Sequence, residues 1–423
     1  MTTLLRALCL SVLAGPAAAA ILTVGPTGQF AEIADAVAAA QPDDVILVEP
    51  GTYAAFTVDK PLRVFGTAPG VLVSSFGTTG VEITGVASGE DVIVAGLEVQ
   101  SNPVFSAPIA SIVVRDSEGT VVLQDVLVDY VLSATGVQVE SSDRVLLLDS
   151  DILNAGGPAA VVATSSELWI ADSTVTGRNP SSGFIEPGAD GLFASASTVR
   201  VWRSEIAGGD ASMGKPSLFI DPDGGDGICA ESSVVELYGG SAGSVGGGDG
   251  SAALFFGNDG VGGAAVRLSL GSTARIQADL PLSGGLDAMG TVMTPDVVAD
   301  ASSTSQLDPT VFPTLSASAP QTAVGGSFSA QVEGSPLSVA VLFTSFETGP
   351  TLAVPGVEGL GVLNPLLFLQ LAVVALDGAG AATIAVSVPP TPALLGTSLV
   401  LQAVEAAGVS LLISNPALVS VTG

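Results

Sequence analysis

Val121-Val-Leu-Gln-Asp125-Val-Leu-Val128, Val145-Leu-Leu-Leu-Asp149-Ser-Asp-Ile152 and Leu168-Trp-Ile-Ala-Asp172-Ser-Thr-Val175 are copies of one element. Each is apolar at offsets 0, +2 and +7 and carries aspartate at +4. Looser copies start at Val199 (Val201, Arg203, Ile206) and Val235 (Leu237, Gly239, Ala242), so successive starts lie 24, 23, 31 and 36 residues apart. A shorter apolar segment precedes each later copy: Val137-Gln-Val139, Ala160-Val-Val162, Leu192-Phe193 and Ile228-Cys229. A period in the twenties with several strands per copy marks a parallel β-solenoid. Its coils stack about 4.8 Å apart and share one core, and the two longer gaps are coils with inserted loops.

Upstream of the repeat, Phe30, Ile33, Ala34 and Val37 stand at i, i+3, i+4 and i+7. That is one face of a short helix over 30–41, placed to plug the first coil and cover its open edge. Val45-Ile-Leu-Val48 then runs into Glu49-Pro-Gly-Thr-Tyr53, a strand meeting a turn. This opening, continued by Pro61-Leu62 and Gly66, resembles that of right-handed parallel β-helix proteins of the pectin-lyase-like group, over about residues 21–300. The resemblance implies the fold and leaves the activity open.

The flanks differ from the solenoid. Met1 to Ala20 has Arg6, an apolar stretch and the small-residue run Ala17–Ala20, the layout of a secretory signal peptide cut before Ile21. Residues 276–423 hold ten acids and no base. Thr294–Thr314 is rich in Pro, Ser, Thr and Asp and reads as a linker. Beyond it, turn signals at Gly325-Gly326, Asn364-Pro365, Asp377-Gly378, Pro389-Pro390, Gly408 and Asn415-Pro416 divide short strands, as in a β-sandwich. The expected organisation is all-β: a signal peptide at 1–20, a right-handed parallel β-helix with its capping helix at 21–300, a linker at 301–314 and a small β-sandwich at 315–423. The uncharged run Leu360–Leu376 is broken by Asn364-Pro365 and is too short for a membrane span.

Charge and composition exclude several functions. Of 423 residues, 11 are Lys or Arg, 41 are Asp or Glu and none is His, a net charge of −30. Nucleic acid and anionic lipid are poor partners for such a chain, because neutralising phosphate needs bases. Without histidine there is no Ser-His-Asp triad, no imidazole base and no His-ligated metal. The Gly-His-Gly of polygalacturonase-like β-helices is therefore impossible. Gln124-Asp125 resembles the Gln-Asp pair of pectin methylesterase-like members, but the Asp- and Phe-rich strand that should follow is missing. No organic cofactor is implied. One cysteine, Cys229, remains after the leader, alternating as an inward or near-inward residue of its strand.

Two groups of residues are candidates for function. Phe184-Ile-Glu-Pro-Gly-Ala-Asp190-Gly-Leu192 repeats as Phe219-Ile-Asp-Pro-Asp-Gly-Gly-Asp226-Gly-Ile228 with one insertion. Asp190, Asp221, Asp223 and Asp226 offer hard oxygen ligands suited to calcium; the competing reading is hydrogen bonding within Gly-rich turns. The second group comes from strand alternation, which sends offsets +1 and +3 outward. Trp169, Arg200 and Glu236 then share one external face with Trp202 and Tyr238. That face is either a platform on which sugar rings stack or the seat of the C-terminal sandwich. The expected function is a secreted, non-catalytic binder of polysaccharide or a cell-surface component. A calcium-dependent lyase or esterase on acidic polysaccharide and a structural surface-layer component are the alternatives.

Overall fold

Val121 and Leu123, Val145 and Leu147, Leu168 and Ile170, Val199 and Val201, and Val235 and Leu237 all lie in one continuous buried cluster. Offsets 0 and +2 therefore do point inward. The computed structural model describes residues 19–102, 110–129, 135–155, 157–180, 187–211, 223–239, 242–251, 260–290 and 292–422. The expected leader lies outside these residues except for its last two.

The chain winds into a parallel β-helix with three ladders of in-register strands. The first climbs from Ile21–Val24 through Val45–Val48 and Arg63–Gly66 to Val234–Tyr238, Thr273–Gln277 and Thr304–Asp308. The second runs from Gly51–Tyr53 through Asp151–Ala155 to Ser244–Gly246 and Leu282–Ser283. The third is a 9-stranded sheet from Phe56–Val58 to Val297–Ala299. The long strands Asp91–Asn102 and Thr120–Asp129 take part in both the first and second ladders. A polypeptide whose only repeated asset is a Val/Ile/Leu alternation can bury it this way without any open sheet edge inside the stack.

Each turn of the helix depends on two corners built alike. Between the first and second ladders the chain takes a left-handed residue at offset +4: Asp125, Asp149, Asp172 and Arg203, with φ between 47° and 50°. Between the third and first ladders it does so at Ser141, Ser165, Ala196 and Ser232. A buried serine follows each of these residues. Ser142, Ser166, Ser197 and Ser233 each donate to the carbonyl two residues back. Each hydroxyl after the first also accepts the amide of its counterpart one coil below, at 3.0–3.1 Å (Ser142 N to Ser166 Oγ, Ser166 N to Ser197 Oγ, Ser197 N to Ser233 Oγ). Ser150, Ser173 and Ser204 form the matching column at the other corner. The bend takes the corner amides out of the sheet ladders, and the hydroxyls replace those lost partners.

The third corner is made of glycine. Gly225 donates to the Gly209 carbonyl and Gly248 to that of Gly225, with Gly263 and Gly285 continuing the column at 2.8–2.9 Å. A Cβ on Gly225 would stand 2.1 Å from the Ala189 oxygen, and one on Gly248 2.0 Å from the Gly209 oxygen, so only glycine permits this approach.

Several expectations are corrected. The helix is Ile33–Ala39 and buries Ile33, Ala36 and Val37, whereas Ala34 is exposed and Phe30 bridges Val24 instead. In the fifth copy Val245, not Ala242, pairs with Ile206, because the corner there is longer. Cys229 faces outward between Phe193 and Arg267, while Ile228 and Ala230 point in. The segment 301–314 is linker only in part: Thr304–Asp308 is a further rung of the first ladder, and Thr314 already starts a strand. From there a three-stranded and a seven-stranded sheet face each other across Leu315, Phe328, Leu342, Leu401 and Val419.

Replacing Ser166 by alanine strands the buried Ser142 amide. We expect a loss of about 1–3 kcal/mol in denaturant unfolding, against less than about 0.5 kcal/mol for Ser88→Ala, a serine without a hydrogen bond of this kind.

Candidate functional site

Along the first ladder the outward positions form two columns. Val45, Ile93, Val122, Leu146 and Trp169 occupy one, and Leu47, Phe65, Ala95, Leu148, Ala171, Trp202 and Tyr238 the other. Such a face cannot stay in water, and the C-terminal unit covers it with Val362, Val400, Leu412 and Leu418. Trp169, Trp202 and Tyr238 therefore lie outside the solenoid core, as alternation requires, yet are only 1%, 5% and 5% exposed. The open platform is not what the structure holds: docking buries the rings. They stack in sequence with Phe312, at centroid separations of 5.2, 5.4 and 4.6 Å.

Polar groups fix the two units together. Gln124 donates to the Leu418 carbonyl at 2.5 Å, and Arg144 to that of Gly349. Asp91 accepts the Thr348 hydroxyl at 2.8 Å, and Arg203 pairs with Glu333 at 3.1 Å. At the amino-terminal end of this seam lies a polar cleft of about 760 Å³ between Arg63, Arg144, Asp143 and Glu347. Much of its polarity already serves the docking.

The carboxy-terminal end of the seam is different. Arg200 sits 5.2 Å above the Trp169 ring and bridges Glu167 at 2.5 Å and Glu236 at 2.6 Å. The Trp169 indole donates to the same Glu167. Two coils beyond Arg200, Arg275 lies over Phe312 and binds Asp308. Between these groups is a cavity of about 200 Å³, walled by Arg200, Trp202, Glu236, Tyr238 and Arg275 on the solenoid side and by Leu360 and Ile413 opposite. Trp202 Nε1 is buried and has no hydrogen-bond partner among the described residues. Four of the five residues anticipated for ligand binding thus line one cavity; Trp169 lies one ring further in. Arg275 and Phe312 were missed. Extending the repeat one coil, to Ala274-Arg275-Ile276, places Arg275 beside Glu236, but no sequence signal places Phe312 over the rings.

The acidic loops are used mainly as amide acceptors. Asp190 Oδ1 accepts the Asp226 amide, Asp226 Oδ1 that of Ala264 and Asp223 Oδ1 that of Val261, at 2.7–2.8 Å. Asp210 and Asp249 do the same for Asp249 and Leu286. Asp190 and Asp226 come together with the Cys229 thiol, ligand atoms within 4.8 Å, whereas Asp221 is outside the described residues. Arg267 binds both oxygens of Asp226. Burial lifts the Asp190 carboxyl to about 7, helped by the Asp226 charge and opposed by the amide it accepts. Burial likewise pushes the Cys229 thiol up to about 12.

At the left-handed corner, burial and the neighbouring Asp172 lift Asp149 to about 7, with Asp125 adding to the shift and Gln124 and Arg203 opposing it. Arg203 bonds Asp172 at 2.8 Å, yet burial still leaves that carboxyl above its ordinary value.

No family model matches this chain, and no curated protein does. Among solved structures, the chain is similar to the enzymatically active domain of tailspike protein 2 from bacteriophage CBA120 at 8% identity and a TM-score of 0.32, over 85% of this chain and 68% of that one.

Because the folded state favours neutral Asp149 and Asp190, their stabilising contribution is complete below pH 4 and is lost as pH rises through about 7. The melting temperature should fall between pH 4 and pH 8. Asn tolerates the left-handed backbone at 149, so Asp149→Asn should raise stability at pH 8 by on the order of 3 kcal/mol and leave it unchanged near pH 4. A variant no more stable than wild type at pH 8 would show that this carboxyl is solvated.

Proposed function

We propose that the protein is a secreted, non-catalytic carbohydrate-binding β-helix that binds a polysaccharide or cell-surface glycan through the cavity at the carboxy-terminal end of the seam. The observation that carries this reading is the Trp202 indole N–H, buried with no hydrogen-bond partner among the described residues beside a cavity walled by aromatic faces and paired charges. Sugars are recognised by this combination: rings give apolar contact with little entropy loss, and a few fixed polar groups orient the hydroxyls. The volume suits one terminal or branching sugar ring rather than a long chain lying in a groove. The leader-like opening and the acidic, base-poor composition support export and a partner other than nucleic acid.

A second reading has one specific observation in its favour. Asp190, titrating near neutrality beside Arg267, is the kind of carboxyl a lyase or esterase on acidic polysaccharide needs for proton transfer. A purely structural surface-layer role draws support from the docking that covers most of the aromatic face. Calcium belongs to the enzyme reading, as a weak ligand of Asp190 and Asp226 that must displace Arg267.

Glycan-array binding followed by affinity electrophoresis tests the main reading. Trp202→Phe keeps a ring and removes the N–H; it should weaken retention about tenfold while melting changes by only a few degrees. Wild-type protein that retains no glycan leaves the structural role. Cleavage of polyuronate abolished by Asp190→Asn would establish the enzyme instead. On calcium addition we expect a rise in melting temperature only in Arg267→Ala, where the Asp226 carboxylate is freed; a rise in wild type would mean that the guanidinium is no barrier to the ion.

A further inference from the structure

The strand Leu369–Ala375 ends the seven-stranded sheet and, among the described residues, pairs on one side only, with Val339–Ser345. Edge strands in soluble proteins are usually short, charged or covered. This one carries no charge, and neither does any residue from Gly359 to Leu376. Ala372 and Val374 pack inward, but the rest of the strand and the residues just before it stay open: Leu366 is 89% exposed, Leu369 55% and Val373 58%, with Leu367, Phe368 and Leu371 also exposed. At roughly 150–200 Å² for each fully exposed side chain of this size, the strip presents on the order of 500 Å², the upper end of what a lone monomer shows. The neighbouring strands Val339–Ser345 and Ala381–Ser387 are likewise uncharged.

We propose that this strip is the interface between two copies of the chain. The occupant follows from charge. Two molecules of net charge −30 repel wherever their carboxylates face one another, and the strip is a long surface stretch without one. Antiparallel apposition of Leu369–Ala375 with itself is two-fold symmetric about Ala372, so the same residues serve both copies. The register shift opposite Leu342 and Phe343 puts a bulge at Leu371 and interrupts the free edge. Side-chain packing therefore carries most of the contact. The available area lies below the roughly 800 Å² per partner of a standard interface, which sets the affinity near the micromolar range.

Sedimentation equilibrium of the full chain from about 1 to 100 µM tests this. The wild type should pass from 41.6 kDa to twice that mass, and the transition should shift to lower protein concentration as sodium chloride is raised and repulsion is screened. Leu371→Glu and Gln370→Glu should each weaken the dimer about tenfold or more at unchanged melting temperature. Gln370 is already polar and exposed, so its replacement does not threaten folding. Leu337→Glu, 78% exposed but outside the strip, adds the same charge and should leave association intact. A monomer at every concentration and salt overturns the proposal, as does a dimer indifferent to both strip variants.

Discussion

A corner serine hydroxyl that donates to its own coil and accepts an amide from the next is the contact on which the solenoid depends. Strands stack because their backbones pair, but a coil has to bend, and at each bend amides leave the ladder. Ser166 shows the solution: it returns one hydrogen bond to the Thr164 carbonyl and receives the Ser142 amide. The preceding left-handed residue sets the bend angle, so one motif of two residues both turns the chain and satisfies it. Repeated up two corners, this keeps the coils in register to within one residue and lets the Val/Ile/Leu columns meet. Burial of these hydroxyls makes them costly to lose, since the amide each accepts would be left without a partner away from water.

The acidic composition has the same physical origin. Aspartate tolerates the left-handed region better than most residues and accepts amides where coils are spaced too tightly for other side chains. Asp190, Asp210, Asp226 and Asp249 each take an amide from a segment one coil on. The cost is electrostatic. Burial, with the neighbouring carboxylates adding to it, lifts Asp149 and Asp190 to near neutrality. What looks like a ligand-rich loop is first a means of holding glycine-rich backbone together.

Docking of the C-terminal unit decides what surface is left. The first ladder turns an apolar face outward from Val45 to Tyr238, and burying it takes precedence over presenting it. Where the ladder turns charged, at Arg200, Glu236 and Arg275, the cover lifts enough to leave an aromatic-walled cavity. The unit that covers this face carries its own uncovered apolar strip at Leu366–Val373, so the pattern of seat and cover recurs at the next level.

The spacing of Val121, Val145 and Leu168 was enough to determine a parallel solenoid, because only stacking at a fixed period buries a face that each coil leaves open. Alternation likewise determined that Trp169 and Trp202 stand outside the core. The corner aspartates at 125, 149 and 172 were legible as a column, but not the role of Ser150 and Ser173, which follow the last two, since serine in a turn has many uses and only the next coil shows which amide it takes. Helix extent, the register at Val245 and the outward turn of Cys229 escaped for a related reason: loops of variable length hide where each strand resumes. Tertiary structure alone decided the fate of the aromatic face. An exposed sugar platform and a buried docking seat ask for the same residues, and they differ only in whether Leu412, Leu418 and Phe312, far along the chain, come to lie on top.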